Sequence, residues 1–189
     1  MKKFELTSEF VTFLGKKLFR IKALISFRNV EEGELGGYVE KEENLSNDGN
    51  AWVSGDAMVS GNARVCGNAR VYGNAEVYGN AEVYGNAEVY GDAEVCGNAW
   101  VYGNAEVYGN ARVYGDADYA TVHGFGSEYR TTTFFRTKAG EIGVRCGCFY
   151  GTLEEFRAKI KETHGETKTA KEYLMVADLM EFRFSKEEA

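Results

Sequence analysis

The chain has 189 residues, with 22 Lys and Arg against 29 Asp and Glu, a formal net charge of -7. Hydrophobic residues make up 44% and charged residues 27%, the composition of an ordinary globular protein. No apolar run approaches the roughly 18 residues that cross a bilayer, which excludes a transmembrane helix. The first residues lack a long apolar stretch, so we expect no secretion leader and a cytoplasmic location.

Almost all of the excess negative charge lies in the middle of the chain. Residues 50–118 carry 3 basic and 9 acidic side chains, a sum of -6, whereas residues 119–189 carry 11 of each. A groove for nucleic acid needs clustered Lys and Arg to displace counterions. We therefore expect no direct nucleic-acid binding by the middle segment, and an acidic surface there favours a basic protein partner.

The N-terminal segment predicts a β-hairpin. Extended stretches between Phe4 and Phe13 lead to a turn at Gly15, and Leu18–Ile21 returns. An array of repeats needs such a cover, because its open end otherwise exposes strand edges and an apolar interior. We predict that residues 1–38 form an N-terminal β-hairpin cap.

The middle of the chain is a hexad repeat. Ala recurs at every sixth position from Ala51 to Ala117, and Val follows two positions later from Val53 to Val113. The unit Gly-Asn/Asp-Ala-x-Val-Tyr alternates inward apolar and outward positions as a short strand does, and Gly-Asn turns the corner. One such strand cannot bury its apolar face alone, whereas stacked coils can.

This pattern resembles the hexapeptide signature of left-handed parallel β-helices, in which an aliphatic residue is followed four positions later by a small one. The resemblance implies that three hexads form one triangular coil, so twelve hexads give four coils. We therefore predict a mainly β protein with a left-handed, three-sided parallel β-helix over residues 39–120. A flatter, two-sided roll with two hexads per coil is the alternative.

With three hexads per coil, each side chain stacks on the one three hexads later. The predicted columns are Trp52, Arg70, Glu88 and Glu106 on the first face, Met58, Glu76, Glu94 and Arg112 on the second, and Arg64, Glu82, Trp100 and Asp118 on the third. Trp52 is expected under the N-terminal cap. Stacked Asn side chains at the corners predict hydrogen-bonded ladders, while stacked Glu side chains repel each other by a few tenths of a kcal/mol.

Residues 121–189 predict a small C-terminal α+β unit. Thr131–Arg136 and Ile142–Cys146 read as a second hairpin. Thr152 with Glu155 forms a capping box that opens a helix ending near His164, and the box Thr169–Glu172 opens a second helix. Three roles stay open for this unit: capping the solenoid, forming a homo-oligomer, or carrying the partner site.

The chain as a whole is similar to a family of small proteins encoded by phages, prophages and gut bacteria. The matching stretches are Leu18–Leu24, Gly33–Glu40, the hexads and Cys146–Phe156. The hexads alone are also similar to those of hexapeptide transferases. The family resemblance implies an origin in a mobile element, and phage accessory proteins of this size often act on host machinery, including its defences.

Acyl transfer is the enzyme hypothesis that the hexads raise. Hexapeptide acyltransferases typically use a histidine as general base, but His123 and His164 both lie outside the repeats. Cys146 and Cys148 form a Cys-x-Cys pair with no second pair to complete a zinc site. We predict no catalytic residue, no metal site and no cofactor.

Aromatic side chains ringed by carboxylates are typical of protein interfaces and are the candidate partner-binding residues. Trp100 stands where neighbouring repeats carry Glu, next to Tyr84 and Tyr102, with Glu82 and Asp118 predicted on either side. The first face adds Glu88, Tyr90, Glu106 and Tyr108.

These residues favour a non-catalytic protein, of phage or prophage origin, that binds and inhibits a host protein in the manner of an anti-CRISPR. A basic, nucleic-acid-handling complex is one such partner. The alternatives are a structural or virion spacer, and capture of a small molecule such as a nucleotide between subunits. In that last case the anion contacts would be Arg64, Arg70 and Arg112. Acyl transfer ranks last.

Overall fold

The protein, in a computed structural model that describes residues 2–185, is a parallel β-solenoid with a β-rich cap and a C-terminal α+β unit. It begins with β1 (Phe4–Phe13), β2 (Lys16–Ala23) and β3 (Leu35–Val39). The solenoid strands are β4 (Trp52–Val53), β5 (Met58–Val59), β6 (Arg64–Val65), β7 (Arg70–Val71), β8 (Glu76–Val77), β9 (Glu82–Val83), β10 (Glu88–Val89), β11 (Glu94–Val95), β12 (Trp100–Val101), β13 (Glu106–Val107) and β14 (Arg112–Val113).

The solenoid has three sides, and each coil consists of three hexads. Val89 pairs in parallel with Val71 on one side and Val107 on the other. The first face consists of β4, β7, β10 and β13, the second of β3, β5, β8, β11 and β14, and the third of β6, β9 and β12. The predicted three-sided coil is therefore confirmed, and the two-sided roll is wrong.

Alanine and valine fill the solenoid interior. Every repeat Ala and Val from Ala51 to Val113 has 0% of its surface exposed. Successive coils are joined by backbone hydrogen bonds, such as the one that Glu88 N donates to the carbonyl of Ala105 at 2.9 Å. The predicted corner ladders are also present, because Asn68 Nδ2 donates to Asn86 Oδ1 at 3.1 Å.

The N-terminal cap extends the second face and closes the first coil. Strand β3 pairs in parallel with β5. Strand β2 pairs antiparallel with β3, and β1 pairs antiparallel with β2. The buried Lys3 Nζ donates to the carbonyl of Ala51 at 2.8 Å, and burial lowers its pKa to about 8. Phe27 packs edge-on against Trp52, with ring centroids 5.5 Å apart. The prediction that Trp52 lies beneath the cap is confirmed.

The regular coil ends one hexad earlier than the repeat predicts. Asp116–Asp118 forms a 3-10 turn in which Ala117 is exposed. Asp118 Oδ2 accepts hydrogen bonds from the backbone N–H groups of Tyr114 and Gly115, at 2.9 and 3.1 Å. These local bonds favour a turn over a strand. The prediction that Asp118 stacks beside Trp100 on the third face is therefore wrong.

The C-terminal unit is an antiparallel sheet with two helices. Its strands are β15 (Tyr119–Val122), β16 (Thr132–Arg136), β17 (Ile142–Cys146) and β18 (Phe149–Thr152), and its helices are α1 (Leu153–His164) and α2 (Lys168–Phe184). The predicted hairpin corresponds to β16 and β17, and the sequence reading missed β15 and β18. Buried Phe134, Val144, Phe156 and Met180 belong to a core separate from the solenoid interior.

One helix start is confirmed and the other is wrong. Thr152 Oγ1 accepts from Glu155 N at 3.2 Å, as the capping box predicts. The second helix starts earlier than predicted, because Thr167 is the N-cap and its Oγ1 accepts from Ala170 N. Glu172 instead pairs with Lys168 one turn before it, at 3.7 Å.

Neither helix of the described residues is long and apolar enough to cross a membrane. The division of the chain into residues 1–38, 39–120 and 121–189 remains a prediction.

Two corner glycines provide a matched test of coil stacking. Gly85 and Gly103 both have φ near +70°, but a Cβ on Gly85 would lie 3.0 Å from the backbone N of Gly103, whereas a Cβ on Gly103 meets nothing within 4 Å. We expect Gly103→Ala to lower the free energy of unfolding by about 1 kcal/mol through backbone strain. Gly85→Ala should cost about 1–3 kcal/mol more through overpacking.

Urea unfolding followed by circular dichroism measures both values. Equal losses in the two variants would contradict the close approach of successive corners.

Candidate functional site

On the first face the stacked carboxylates are engaged within the chain. The hydroxyl of Tyr72 donates to Glu88 at 2.9 Å, and the hydroxyl of Tyr90 donates to Glu106 at 3.1 Å. Arg70 Nη1 also lies 3.8 Å from Glu88. These contacts offset the predicted repulsion between Glu88 and Glu106, since each carboxylate accepts a hydrogen bond.

The C-terminal unit covers the end of this face. Arg145 Nε donates to Glu106 Oε2 at 2.8 Å, and Glu106 N donates to Thr133 Oγ1 at 3.0 Å. The ring of Tyr150 lies edge-on to Tyr108, with centroids 4.7 Å apart. The structure thus places two predicted partner-binding residues, Glu106 and Tyr108, at a junction inside the molecule.

The second face is also occupied from within the chain. Tyr78 donates its hydroxyl to Glu94, and Arg112 Nε lies 3.4 Å from the same carboxylate. Phe13 of the N-terminal cap packs edge-on against Tyr78 at 5.8 Å. Burial and the bond to Glu94 raise the pKa of Tyr78 far above its usual value. Tyr78, Glu94 and Arg112 of this face therefore have partners within the chain.

The third face presents aromatic side chains to solvent. Tyr84 and Tyr102 stack with centroids 5.3 Å apart, and Tyr102 meets buried Tyr119 edge-on at 6.4 Å. Trp100 is 49% exposed and Tyr102 is 51% exposed. The backbone N–H of Trp100 donates to Asp116 Oδ1 at 2.8 Å, which holds the tryptophan's strand against the following turn.

A groove of about 920 Å³ runs between this face and helix α2. We call it the third-face groove, and it is lined by Tyr84, Trp100, Tyr102, Asp116, Tyr119, Ala120, Thr121, Leu179, Met180, Phe182 and Arg183. It unites two regions that the sequence offered as separate candidates, the third face and the C-terminal unit.

Helix α2 carries a second apolar row beside the groove. Met175, Leu179 and Phe182 are 71%, 56% and 78% exposed and follow the i, i+4, i+7 spacing of one helical stripe. Tyr173 and Met180 point into the core instead. The sequence reading found the core row and missed the outer one, although its spacing was visible in the sequence.

The predicted site residues thus separate into three groups. Tyr84, Trp100 and Tyr102 line the third-face groove, and half-buried Glu82 lies on the strand paired with that of Trp100. Asp118 lies in the 3-10 turn, where its Oδ1 lies 3.4 Å from Arg136 Nε. The remaining predicted residues lie on the first face and are Glu88, Tyr90, Glu106 and Tyr108.

The sequence analysis missed several residues of the third-face groove, among them Tyr119, Leu179, Phe182 and Arg183.

The alternative sites find less support from the geometry. Two of the arginines proposed as anion contacts, Arg70 and Arg112, are paired with Glu88 and Glu94. His123 Nδ1 lies 3.2 Å from Thr131 Oγ1 in the loop before β16. Neither histidine is among the residues that line the third-face groove.

The tyrosine–glutamate contacts predict how stability changes at alkaline pH. Burial, together with the charge of Glu106, raises the pKa of Tyr90 to about 12. Between its ordinary pKa near 10 and that value, the unfolded chain loses this proton while the folded chain keeps it. The stability that Tyr90 contributes is therefore present below pH 10 and is lost as the pH rises to about 12. In Tyr90→Phe the free energy of unfolding should fall less steeply across this range.

Urea unfolding at several pH values measures the two slopes. At pH 7 the free energy of unfolding of the same variant should be about 1 kcal/mol lower. The Glu106 carboxylate then loses the hydrogen bond from Tyr90 and retains the one from Arg145. Identical alkaline slopes in both proteins would contradict the raised pKa of Tyr90.

Comparison with known proteins agrees with the solenoid. A family model described as the YdcK beta solenoid repeat matches residues 51–67, 63–79 and 105–117. A search of curated proteins gave no match. The matched segments lie within the coils and cover only part of them, so the chain is similar to this repeat, which supports its place among repeat-based β-solenoid proteins.

Proposed function

We propose that this chain is a non-catalytic protein-interaction module that binds and inhibits a host protein through the third-face groove. The observation that carries the proposal is a difference in exposure between the faces of the solenoid. Tyr72, Tyr78 and Tyr90 of the first and second faces each donate to a glutamate within the chain. Trp100 and Tyr102 instead remain half-exposed beside a second apolar row on α2. Contiguous exposed apolar surface of this kind marks an interaction site.

The groove favours a partner segment that offers apolar anchors flanked by Lys or Arg. Glu82 and the exposed Asp116 lie at the edge of the aromatic floor. Residues 50–118 of the solenoid carry 3 basic and 9 acidic residues, a sum of -6. Such a field attracts a basic protein from a distance and weakens with salt. A nucleic-acid-handling host protein has this chemistry.

Trp100 and Phe182 are the anchors of the proposed site. Tryptophan and tyrosine are enriched among the few residues that dominate binding energy. The aromatic surface beside Trp100 is preorganised, because Tyr84 stacks on Tyr102 and Tyr102 meets Tyr119 edge-on. A preorganised surface loses little conformational entropy on binding.

A phage or prophage origin, and action in the host cytoplasm as a counter-defence protein, are part of the same proposal. They rest on the resemblance of Leu18–Leu24, Gly33–Glu40 and Cys146–Phe156 to the phage-encoded family. A protein from a mobile element gains from blocking a host complex without catalysis, because occupying a surface needs only affinity.

The test uses two groove variants and one matched control. Trp100→Glu and Phe182→Glu each place a carboxylate in the third-face groove. Tyr114→Glu is the control, because it replaces a tyrosine of the second face that is 59% exposed. Tagged proteins are used for capture from a lysate of the bacterial host, and the captured protein is then titrated against each variant. We expect both groove variants to bind about 30-fold more weakly, as for a lost anchor of roughly 2 kcal/mol. Tyr114→Glu should bind like the unmodified chain.

A partner that tolerates both groove variants would contradict the assignment of the site. Absence of any stoichiometric partner would contradict the binding function and favour a structural spacer. Circular dichroism of each variant checks that the solenoid still folds.

A further inference from the structure

A second cavity, of about 260 Å³, lies in the C-terminal unit away from the third-face groove. We call it the α1 cavity. Helix α1, the turn between β17 and β18, and residues 127–130 of the preceding loop form its walls. Its volume is below the roughly 300–1,000 Å³ of pockets for drug-sized ligands, so it suits a ligand of one ring with a short substituent.

The floor of the α1 cavity is aromatic and ordered. Phe149 packs against Phe156 with centroids 5.4 Å apart, and Phe156 packs edge-on against Tyr173 at 5.8 Å. Ile160 completes the apolar surface beside them. A flat ring entering here would meet other rings, and such pairs contribute about 0.5–1.5 kcal/mol beyond the burial of their area.

The rim of the α1 cavity is cationic, in contrast to a chain whose net charge is -7. Arg130 and Lys159 line it beside the ring of His164, and Glu128 is the one carboxylate among the lining residues. His164 is fixed by stacking on Tyr173 at 5.8 Å. The cavity therefore offers positive charge directly beside an apolar floor.

Within residues 2–185, Arg130 and Lys159 are held by exposed ion pairs. Arg130 Nη2 lies 3.6 Å from Glu128, and Lys159 Nζ lies 2.9 Å from Glu162. Exposed pairs of this kind contribute about 0–1 kcal/mol, so an incoming carboxylate can compete for both cations. Gly147 leaves room for the guanidinium, since a Cβ there would lie 2.9 Å from Arg130 Nη1.

From this arrangement we infer that the α1 cavity binds a small aromatic carboxylate. Its ring lies on Phe149, Phe156 and Ile160, and its carboxylate faces Arg130 and Lys159. This inference goes beyond the proposed protein-binding function and does not depend on it, because the two sites share no lining residue.

The probe is phenylacetate, titrated into the full chain and followed by amide chemical shifts in NMR. Phenylacetamide, which has the same shape without the charge, is the ligand control. We expect phenylacetate to shift the amides around Gly147–Phe149 and Ile160–His164 and to bind about tenfold more tightly than phenylacetamide. Arg130→Gln and Lys159→Gln should each weaken the binding of phenylacetate about fivefold, because each variant removes one charge-assisted contact with the carboxylate.

Lys171→Gln is the matched variant, since Lys171 is an exposed cation on α2 outside the cavity. It should leave the affinity unchanged, and so should Trp100→Glu. Equal binding of the acid and the amide would overturn the inference, as would shifts that map outside the α1 cavity. Absence of shifts at about 10 mM phenylacetate, where even a millimolar site is largely filled, would overturn it as well.

Discussion

The parallel stacking of coils, with one coil for every three hexads, is the constraint on which the rest of the structure depends. It places each residue directly over its counterpart, so backbone hydrogen bonds, valines and corner glycines all repeat without a break. It also places glutamate over glutamate. The chain offsets this repulsion with tyrosine hydroxyls and arginines, as at Glu88 and Glu94. Glu88 and Glu94 are thus engaged within the chain.

Closure of the two ends decides which surface remains available. At the start, Lys3 and Phe27 cover the first coil, and Phe13 reaches the second face. At the other end, Arg145 and Tyr150 cover the first face. The third face keeps its aromatic side chains exposed, and α2 lies alongside to form a groove. The proposed binding surface therefore lies on the third face because the two caps contact the first and second faces.

The C-terminal unit closes the end of the solenoid and also forms walls of two cavities. Helix α2 lends an outer apolar row to the third-face groove, while α1 forms one wall of a separate aromatic cavity with a cationic rim. The two sites differ in chemistry, one broad with carboxylates at its edge and one small and positively charged. This difference agrees with the two proposals, a protein partner at the third-face groove and a small anion at the α1 cavity.

The sequence by itself determined that the chain forms stacked coils, because hexads with Ala and Val inward bury their apolar residues only against neighbouring coils. Three hexads per coil, rather than two, was what the resemblance implied, and the strand register confirms it. The sequence also predicted the ladders of asparagine, the burial of Trp52, the α1 capping box and the pairing of Tyr84 with Tyr102. The turn at Asp118 and the start of α2 after Thr167 are local features that the sequence analysis misassigned, since hydrogen bonds over three or four residues hold them. Only the tertiary structure decided that Glu106 and Tyr108 meet the C-terminal unit while Trp100 stays half-exposed. The physical reason is distance along the chain. Periodicity controls neighbours three hexads apart, whereas contacts such as Arg145 with Glu106, 39 positions apart, depend on how the folded caps pack.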